Sequence, residues 1–320
     1  MKTTETGASK IRKARVSEYL GKATLIIAAM VFCISSQAQN ATKTITIMGS
    51  KFANPLIEKW TSEYTKGNPG ITFKFVKSSD QSDKSDLKLT VNTSKRNEEK
   101  SNDNQVNVGR LAVLPVANEK NTLFDKQIRN GIKQEEFKNI FLGIETEEFD
   151  SEQKTTSEPL YTVYSQTQQS ATAKVLIDHF GKSANELAGI LVTGDDKYLI
   201  ESVLSDSTGV TYGNLSLIYD LNNRSVLKGI KILPIDLDNS GRLKKEELVY
   251  GNLDQLISFL ESSKNKAIPS NDISFSFNKK NNNPLVEDFV NWVKISGQQY
   301  NHQYGFLRSN DDKDPALTQK

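Results

Sequence analysis

Thr44-Ile45-Thr46-Ile47-Met48-Gly49-Ser50-Lys51-Phe52-Ala53-Asn54-Pro55-Leu56-Ile57-Glu58-Lys59-Trp60-Thr61-Ser62-Glu63-Tyr64 changes its hydrophobic period part-way along. From Thr44 to Met48 β-branched and apolar residues alternate as in a strand, whereas Leu56, Ile57, Trp60 and Tyr64 recur at helical spacing. Strand, tight loop and helix follow. Gly49 permits a sharp turn and Ser50 is a candidate cap, so the amides of Ser50 to Ala53 face outward at the positive end of the helix dipole. Such a turn is a cradle for an anion. Gly67-Asn68-Pro69-Gly70 then breaks the helix, and Ile71 to Val76 reads as a second strand. The resulting β-α-β unit predicts an α/β fold with a mostly parallel sheet and helices on its faces.

Upstream of this unit, Lys2, Lys10, Arg12, Lys13, Arg15 and Lys22 precede an apolar run from Leu25 to Ile34 and the small and polar residues Ser35-Ser36-Gln37-Ala38-Gln39. The run is short for a membrane span and has the layout of a secretory signal with cleavage near Ala38 or Gln39, which predicts a periplasmic protein. The single cysteine, Cys33, falls inside this segment, so the mature chain is expected to lack disulfides and covalent lipid. The whole chain has 41 basic and 39 acidic residues; without the six basic and two acidic residues of 1–39 the balance is slightly negative. That balance argues against nucleic acid as a partner. At 320 residues the chain is long enough for two domains, each with its own core.

Downstream, residues 77 to 105 are dominated by Ser, Asp, Lys, Asn and Glu around a candidate strand from Leu87 to Val91. The apolar run Val106 to Val116 has the length of one buried strand. Lys133 to Gly143 reads as an amphipathic helix with a glycine stop, Leu160 to Ser165 as a strand, and Ser170 as the cap of a helix over Ala171 to Phe180. This second strand-loop-helix repeats the plan of the first. Another helix runs from Gly194-Asp195-Asp196 to Leu204 and a strand follows at Gly209 to Gly213. A returning strand is then expected over Val226 to Ile235, a helix over Glu246 to Leu260, a strand at Ile273 to Phe277 and a helix over Pro284 to Val293.

Gly49 to Leu56, then Trp60 and Tyr64, then Asn68-Pro69-Gly70-Ile71, resemble the start of the mature phosphate-binding proteins of ABC transporters. Phe141-Leu142-Gly143, Gly209 to Gly213, and the ending Phe289, Trp292-Val293, Gly297-Gln298, Tyr300 and Gly305-Phe306-Leu307 resemble later segments of that family; core packing is the alternative role for these aromatics. The resemblance implies a two-domain periplasmic binding protein (type II) fold with mixed sheets, flanking helices and two hinge crossover strands, one at Val106 to Val116. Signal peptide 1–39, domain I at 40–115 and 235–320, and domain II at 116–234 follow from it.

The family holds phosphate with loop amides and hydroxyls, one arginine and an aspartate that accepts the ligand's proton. By resemblance the ligand-binding positions here are Ser50, Lys51 and Phe52 in the first loop, Gln166 in the place of the arginine, and Ser170, Ala171 and Thr172 in the place of Ser-Gly-Thr. The second loop, near Ser78 to Ser82, lacks glycines, and the aspartate has no counterpart around Leu89 to Ser94. Hydroxyls and amides are retained; the guanidinium is not. For Ser50, Ser170 and Thr172, helix capping is the alternative to ligand contact. Arg110 is a candidate substitute cation.

Asp236-Leu237-Asp238-Asn239-Ser240-Gly241-Arg242-Leu243-Lys244-Lys245-Glu246-Glu247 matches the twelve-residue calcium loop at every defining place. Asp236, Asp238 and Ser240 offer side-chain oxygens, Arg242 its carbonyl and Glu247 two oxygens, with Lys244 at the ninth place. The pattern predicts a structural Ca2+ in a lone strand-loop-helix site; an Asx-rich turn with solvated carboxylates is the alternative.

No Gly-x-Ser-x-Gly, P-loop or paired-histidine motif occurs, and His179 and His302 stand apart from any recognisable nucleophile, so an enzyme is not expected. The expected function is delivery of inorganic phosphate or another oxyanion to an ABC transporter permease by a monomeric binding protein. The alternative is a donor-depleted, calcium-stabilised interaction or envelope-associated module without phosphate transport.

Overall fold

The computed structural model describes residues 43–49, 51–76, 85–92, 103–143, 161–167, 170–262, 266–278 and 283–310. Ser50, the Ser78 to Ser82 loop and residues 1–42, with the expected signal segment, lie outside them. Among the described residues no helix is long and apolar enough to cross a membrane.

In chain order, β1 (Lys43–Met48) leads through a 3-10 turn at Lys51–Ala53 to α1 (Asn54–Gly67), β2 (Ile71–Val76), β3 (Leu87–Val91) and β4 (Asp103–Asn118). Next come α2 (Asp125–Asn130), α3 (Gln134–Leu142), β5 (Thr162–Gln166), α4 (Ala171–His179), β6 (Ile190–Val192), α5 (Lys197–Ser205) and β7 (Gly209–Asn214). The chain closes with α6 (Leu215–Ile218), β8 (Ile230–Ile232), α7 (Leu253–Ser262), β9 (Ser270–Asn278) and α8 (Pro284–Ile295).

The strands lie in the order β2-β1-β3-β9-β4-β7-β5-β6, with β8 also on β4. Parallel pairs, β1 with β3 and β5 with both β6 and β7, flank a middle in which β3–β9, β9–β4, β4–β7 and β4–β8 are all antiparallel. The sheet is therefore mixed rather than mostly parallel. The β-α-β reading holds only for the flanks, because β4 and β9 pair across a long separation in sequence.

β4 joins everything. Residues 103–112 pair with β9, and 113–118 with β7 and β8. Leu111, Ala112, Val113, Leu114, Val116 and Ala117 are all buried, the continuous apolar pattern of a strand covered on both faces. A bulge interrupts the β4–β9 register between Asn107 and Gly109. A Cβ at Gly109 would stand 2.8 Å from Asn301 Nδ2 and 3.0 Å from the Leu307 carbonyl, so only glycine lets that segment approach.

Around the first half, Trp60 donates from Nε1 to the Gly297 carbonyl at 2.9 Å, and Tyr64, Phe73, Phe289 and Trp292 form a cluster of edge-on, tilted and stacked rings. Phe137, Phe141, Phe180 and Tyr212 do the same around the second half. Two expected elements are shorter than their sequence patterns suggest. Of Val226 to Ile235 only Ile230–Ile232 is a strand, since Gly229 turns at φ 87° and Pro234 has no N–H to give a ladder. Of Glu246 to Leu260, the first part is a 3-10 turn at Lys245–Glu247, and α7 starts only where the Asn252 side chain accepts the Asp254 and Gln255 amides.

Phe289 is fully buried and Ile295, on the same helix, is 72% exposed. Urea unfolding is expected to show Phe289→Ala losing about 3–5 kcal/mol, whereas Ile295→Ala stays within about 0.5 kcal/mol. Equal effects would mean that the ring cluster does not hold α8.

Candidate functional site

The loops that follow β1, β5 and β6 leave the carboxyl ends of strands that each belong to a parallel pair, the edge at which open α/β sheets bind ligands. Lys51 Nζ, after β1, lies 3.9 Å from Asp195 Oδ2, after β6, which shows that the two loops face one another. Phe52 is half-buried, its ring 6.1 Å from that of Phe306. Asn54, at the start of α1, has a buried Oδ1 without a hydrogen-bond partner. A Cβ at Gly49 would meet that oxygen at 2.5 Å, so a larger residue there would push the Asn54 carboxamide aside.

Gln166 ends β5 and is 1% exposed. Its backbone N–H donates to Tyr212 Oη at 3.1 Å, and its Oε1 accepts from the Thr167 amide at 3.2 Å. Desolvation pushes the Tyr212 phenol above its ordinary pKa, so it stays a neutral hydroxyl and a fixed partner. The other end of the Gln166 carboxamide, Nε2, is buried and unpaired. An unmet donor of this kind costs about 1–3 kcal/mol.

Four residues on, Ser170 caps α4: its Oγ accepts the Ala173 amide at 3.2 Å. Ala171 and Thr172 are buried behind it. Thr172 Oγ1 donates to Asp196 Oδ2 at 2.5 Å and accepts from Asn214 Nδ2 at 3.1 Å; the Asn214 Oδ1 in turn accepts from Ser216 Oγ at 2.6 Å. Asp196 is the N-cap residue of α5, yet its side chain caps nothing there and turns to Thr172 instead. Of the expected ligand positions, Gln166, Ser170, Ala171 and Thr172 thus gather at the start of α4, with Lys51 and Phe52 on the facing loop. Arg110 is engaged elsewhere, donating from Nε to the Arg308 carbonyl at 3.2 Å. His179 is half-buried against Phe180 and Gln134 Oε1, and burial pushes its pKa down; His302 meets Glu261 at 2.8 Å.

The calcium-loop residues also come together. Carboxylate oxygens of Asp236, Asp238 and Glu247 lie within 4.8 Å of one another. Asp236 is fully buried and accepts the Ser240 and Gly241 amides; Glu247, 4% exposed, accepts those of Leu237 and Lys244. Asn239 at φ 55° and Gly241 at φ 81° make the turn. Ser240 Oγ donates to the Arg242 carbonyl at 3.0 Å. Exposed Asp238 is paired with Lys244, whose ammonium holds its carboxyl below the usual range. The loop leads into the short 3-10 turn rather than the helix its spacing suggests.

No protein-family model matches the sequence, and neither does any curated protein. Solved structures do match. One, assigned as a phosphate ABC transporter substrate-binding protein from Clostridium perfringens and determined with bound phosphate, aligns with 83% of this chain and 100% of its own at a TM-score of 0.59 and 14% identity. An ABC-type phosphate transport receptor from Vibrio cholerae aligns over the same shares at 0.57 and 14%. The chain has the type II periplasmic binding protein fold. At 14% identity the likeness to these binding proteins is one of fold.

Within this type II binding fold, Asn54, Asp195, Asp196 and Asn214 are the site residues that sequence reasoning passed over. Asp195 and Asp196 read as a helix start, and nothing in their spacing signals that one meets Lys51 and the other Thr172. Asn54 lies within the resembling segment Gly49 to Leu56 without being read as a site residue, and Asn214 carries no motif.

Proposed function

We propose that this protein is a solute-binding protein that holds a small oxyanion, inorganic phosphate or a close relative, at the N-terminus of α4 and delivers it to an ABC-type membrane transporter. The observation that carries the reading is the Gln166 Nε2 donor, buried and unpaired at the end of β5. An oxygen of the ligand would meet that donor, and the amides of Ala171 and Thr172, which have no acceptor within the helix and are not taken by the Ser170 cap, would meet the others. The names of the Clostridium perfringens and Vibrio cholerae proteins, given for phosphate transport, support the substrate class. Binding and release need only a closed state that the ligand favours, with no covalent chemistry. The leader composition supports a periplasmic location.

A neutral carboxamide replaces the arginine of the resembled family, and charge-assisted hydrogen bonds are about twice as strong as neutral ones. Affinity in the micromolar rather than the nanomolar range follows. Isothermal titration of the chain from Asn40 onward with inorganic phosphate is expected to give saturable heat, and Gln166→Ala to weaken it by about tenfold, equivalent to about 1.4 kcal/mol. No heat up to millimolar phosphate sinks the oxyanion; heat unchanged in Gln166→Ala moves the site elsewhere.

We further propose that the Asp236 to Glu247 loop takes a structural Ca2+. Two buried carboxylates close to a third favour a cation among them, and their spacing in the sequence is that of the twelve-residue loop, which supports the reading. The ion would stiffen the segment that pairs Ile235 with Ile132. Calcium is expected to raise the melting temperature of the wild type and not that of Asp236→Ala/Glu247→Ala. A calcium-independent melting temperature in the wild type would leave the loop as an Asx turn. Should calcium stabilise the protein while phosphate does not bind, the interaction-module reading takes over.

A further inference from the structure

Two groups that an anion at the start of α4 would draw on, the Lys51 ammonium on the loop after β1 and the Thr172 hydroxyl in the first turn of α4, are both held by carboxylates of the chain itself. These carboxylates are consecutive. Asp195 Oδ2 lies 3.9 Å from Lys51 Nζ, and Asp196 Oδ2 accepts from Thr172 Oγ1 at 2.5 Å, where Thr172 is fully buried. Asp196 forgoes the capping of its own helix to do so, although a carboxylate at an N-cap is ordinarily stabilising. Asn214 Nδ2 holds the Thr172 oxygen from the other side, which leaves the hydroxyl proton directed at Asp196.

We propose that the Asp195–Asp196 pair is an internal competitor for the oxyanion: two charges built into the β6–α5 loop that occupy Lys51 and Thr172 and set a threshold that a ligand must overcome. The inference rests on the oxyanion reading of the α4 N-terminus. It follows from charge and geometry together. An external anion entering beside Asp196 meets like charge at short range and must displace that carboxylate from Thr172 to use the hydroxyl. It must also draw Lys51 away from Asp195, an exposed and weakly held pair that costs little to break. Asp196 is therefore the stronger of the two competitors. Such a device keeps the cleft from filling at low solute concentration and suits a protein whose ligand is abundant when it is needed.

Phosphate titration of the wild type, Asp196→Asn, Asp195→Asn/Asp196→Asn and Glu135→Gln separates the outcomes. Asparagine at 196 keeps an oxygen that accepts from Thr172 and removes the charge. Glu135→Gln makes the same change in net charge on an exposed residue paired with Lys138. The expected result is a gain of about tenfold or more in phosphate affinity for Asp196→Asn, a further gain for the double variant, and no change for Glu135→Gln. Binding that is unchanged or weaker in Asp196→Asn, with phosphate still bound by the wild type, overturns the competitor and makes Asp196 a scaffold or ligand contact. Phosphate heat from none of the four chains overturns the oxyanion reading itself.

Discussion

The ladder of β4 is the constraint on which the rest of the structure depends. Sixteen residues run without a break from Asp103 to Asn118, and their backbone groups must be met by β9 along the first ten and by β7 and β8 beyond. From Leu111 to Ala117 burial of both faces rules out water as a substitute, because an unmet buried N–H or C=O costs as much as a lost hydrogen bond. Strands distant in sequence are therefore drawn to one line, and the parallel pairs β1–β3 and β5–β6 are left on either side of it. Gly109 and Asn301 show how tightly this is held: the bulge admits no Cβ, and Asn301 Nδ2 bonds both the Val108 and Leu307 carbonyls.

From that arrangement the site follows. Gln166 stands at the carboxyl end of a strand and Lys51 and Asp195 come just after one, so a sheet organised for backbone satisfaction also gathers polar groups at one edge. Their balance differs from that of a simple anion cradle. The dipole of α4 and Lys51 favour negative charge, Asp195 and Asp196 oppose it, and Gln166 contributes a neutral donor where a guanidinium would bring charge. Asn54 and Gln166 each keep one buried polar atom unmet. Gln127 Oε1 and Asn301 Oδ1 are unmet as well, so it is the position of Asn54 and Gln166 at the sheet edge, beside the start of α4, that ties them to a solute.

Much of this was legible in the sequence where a period or a turn signal was local. The switch of period after Met48, the Ser170 cap and the glycine stop at Gly143 are properties of a few adjacent residues, and the structure has them in place. The apolar run in β4 was legible too, because a strand covered on both faces has no alternation to hide. The antiparallel centre was not, since the β4–β9 pairing joins residues more than 150 apart. Nor were the lengths of β8 and α7, which Gly229, Pro234 and the Asn252 cap decide against hydrophobic periodicity. At the site, Gln166, Ser170 and Thr172 were found through resemblance to a loop motif, whereas the Thr172–Asp196 and Lys51–Asp195 contacts exist only in three dimensions.

The central claim is that the carboxamide of Gln166 at the end of β5 meets the ligand. Its side-chain amide resonances in a nitrogen-labelled sample, identified by their loss in Gln166→Ala, test it most directly during titration with inorganic phosphate. A saturable shift of the Gln166 Nε2 protons, together with the backbone amides of Ala171 and Thr172, is the predicted result. Shifts confined to other residues, or a Gln166 signal unmoved while phosphate binds, would contradict it.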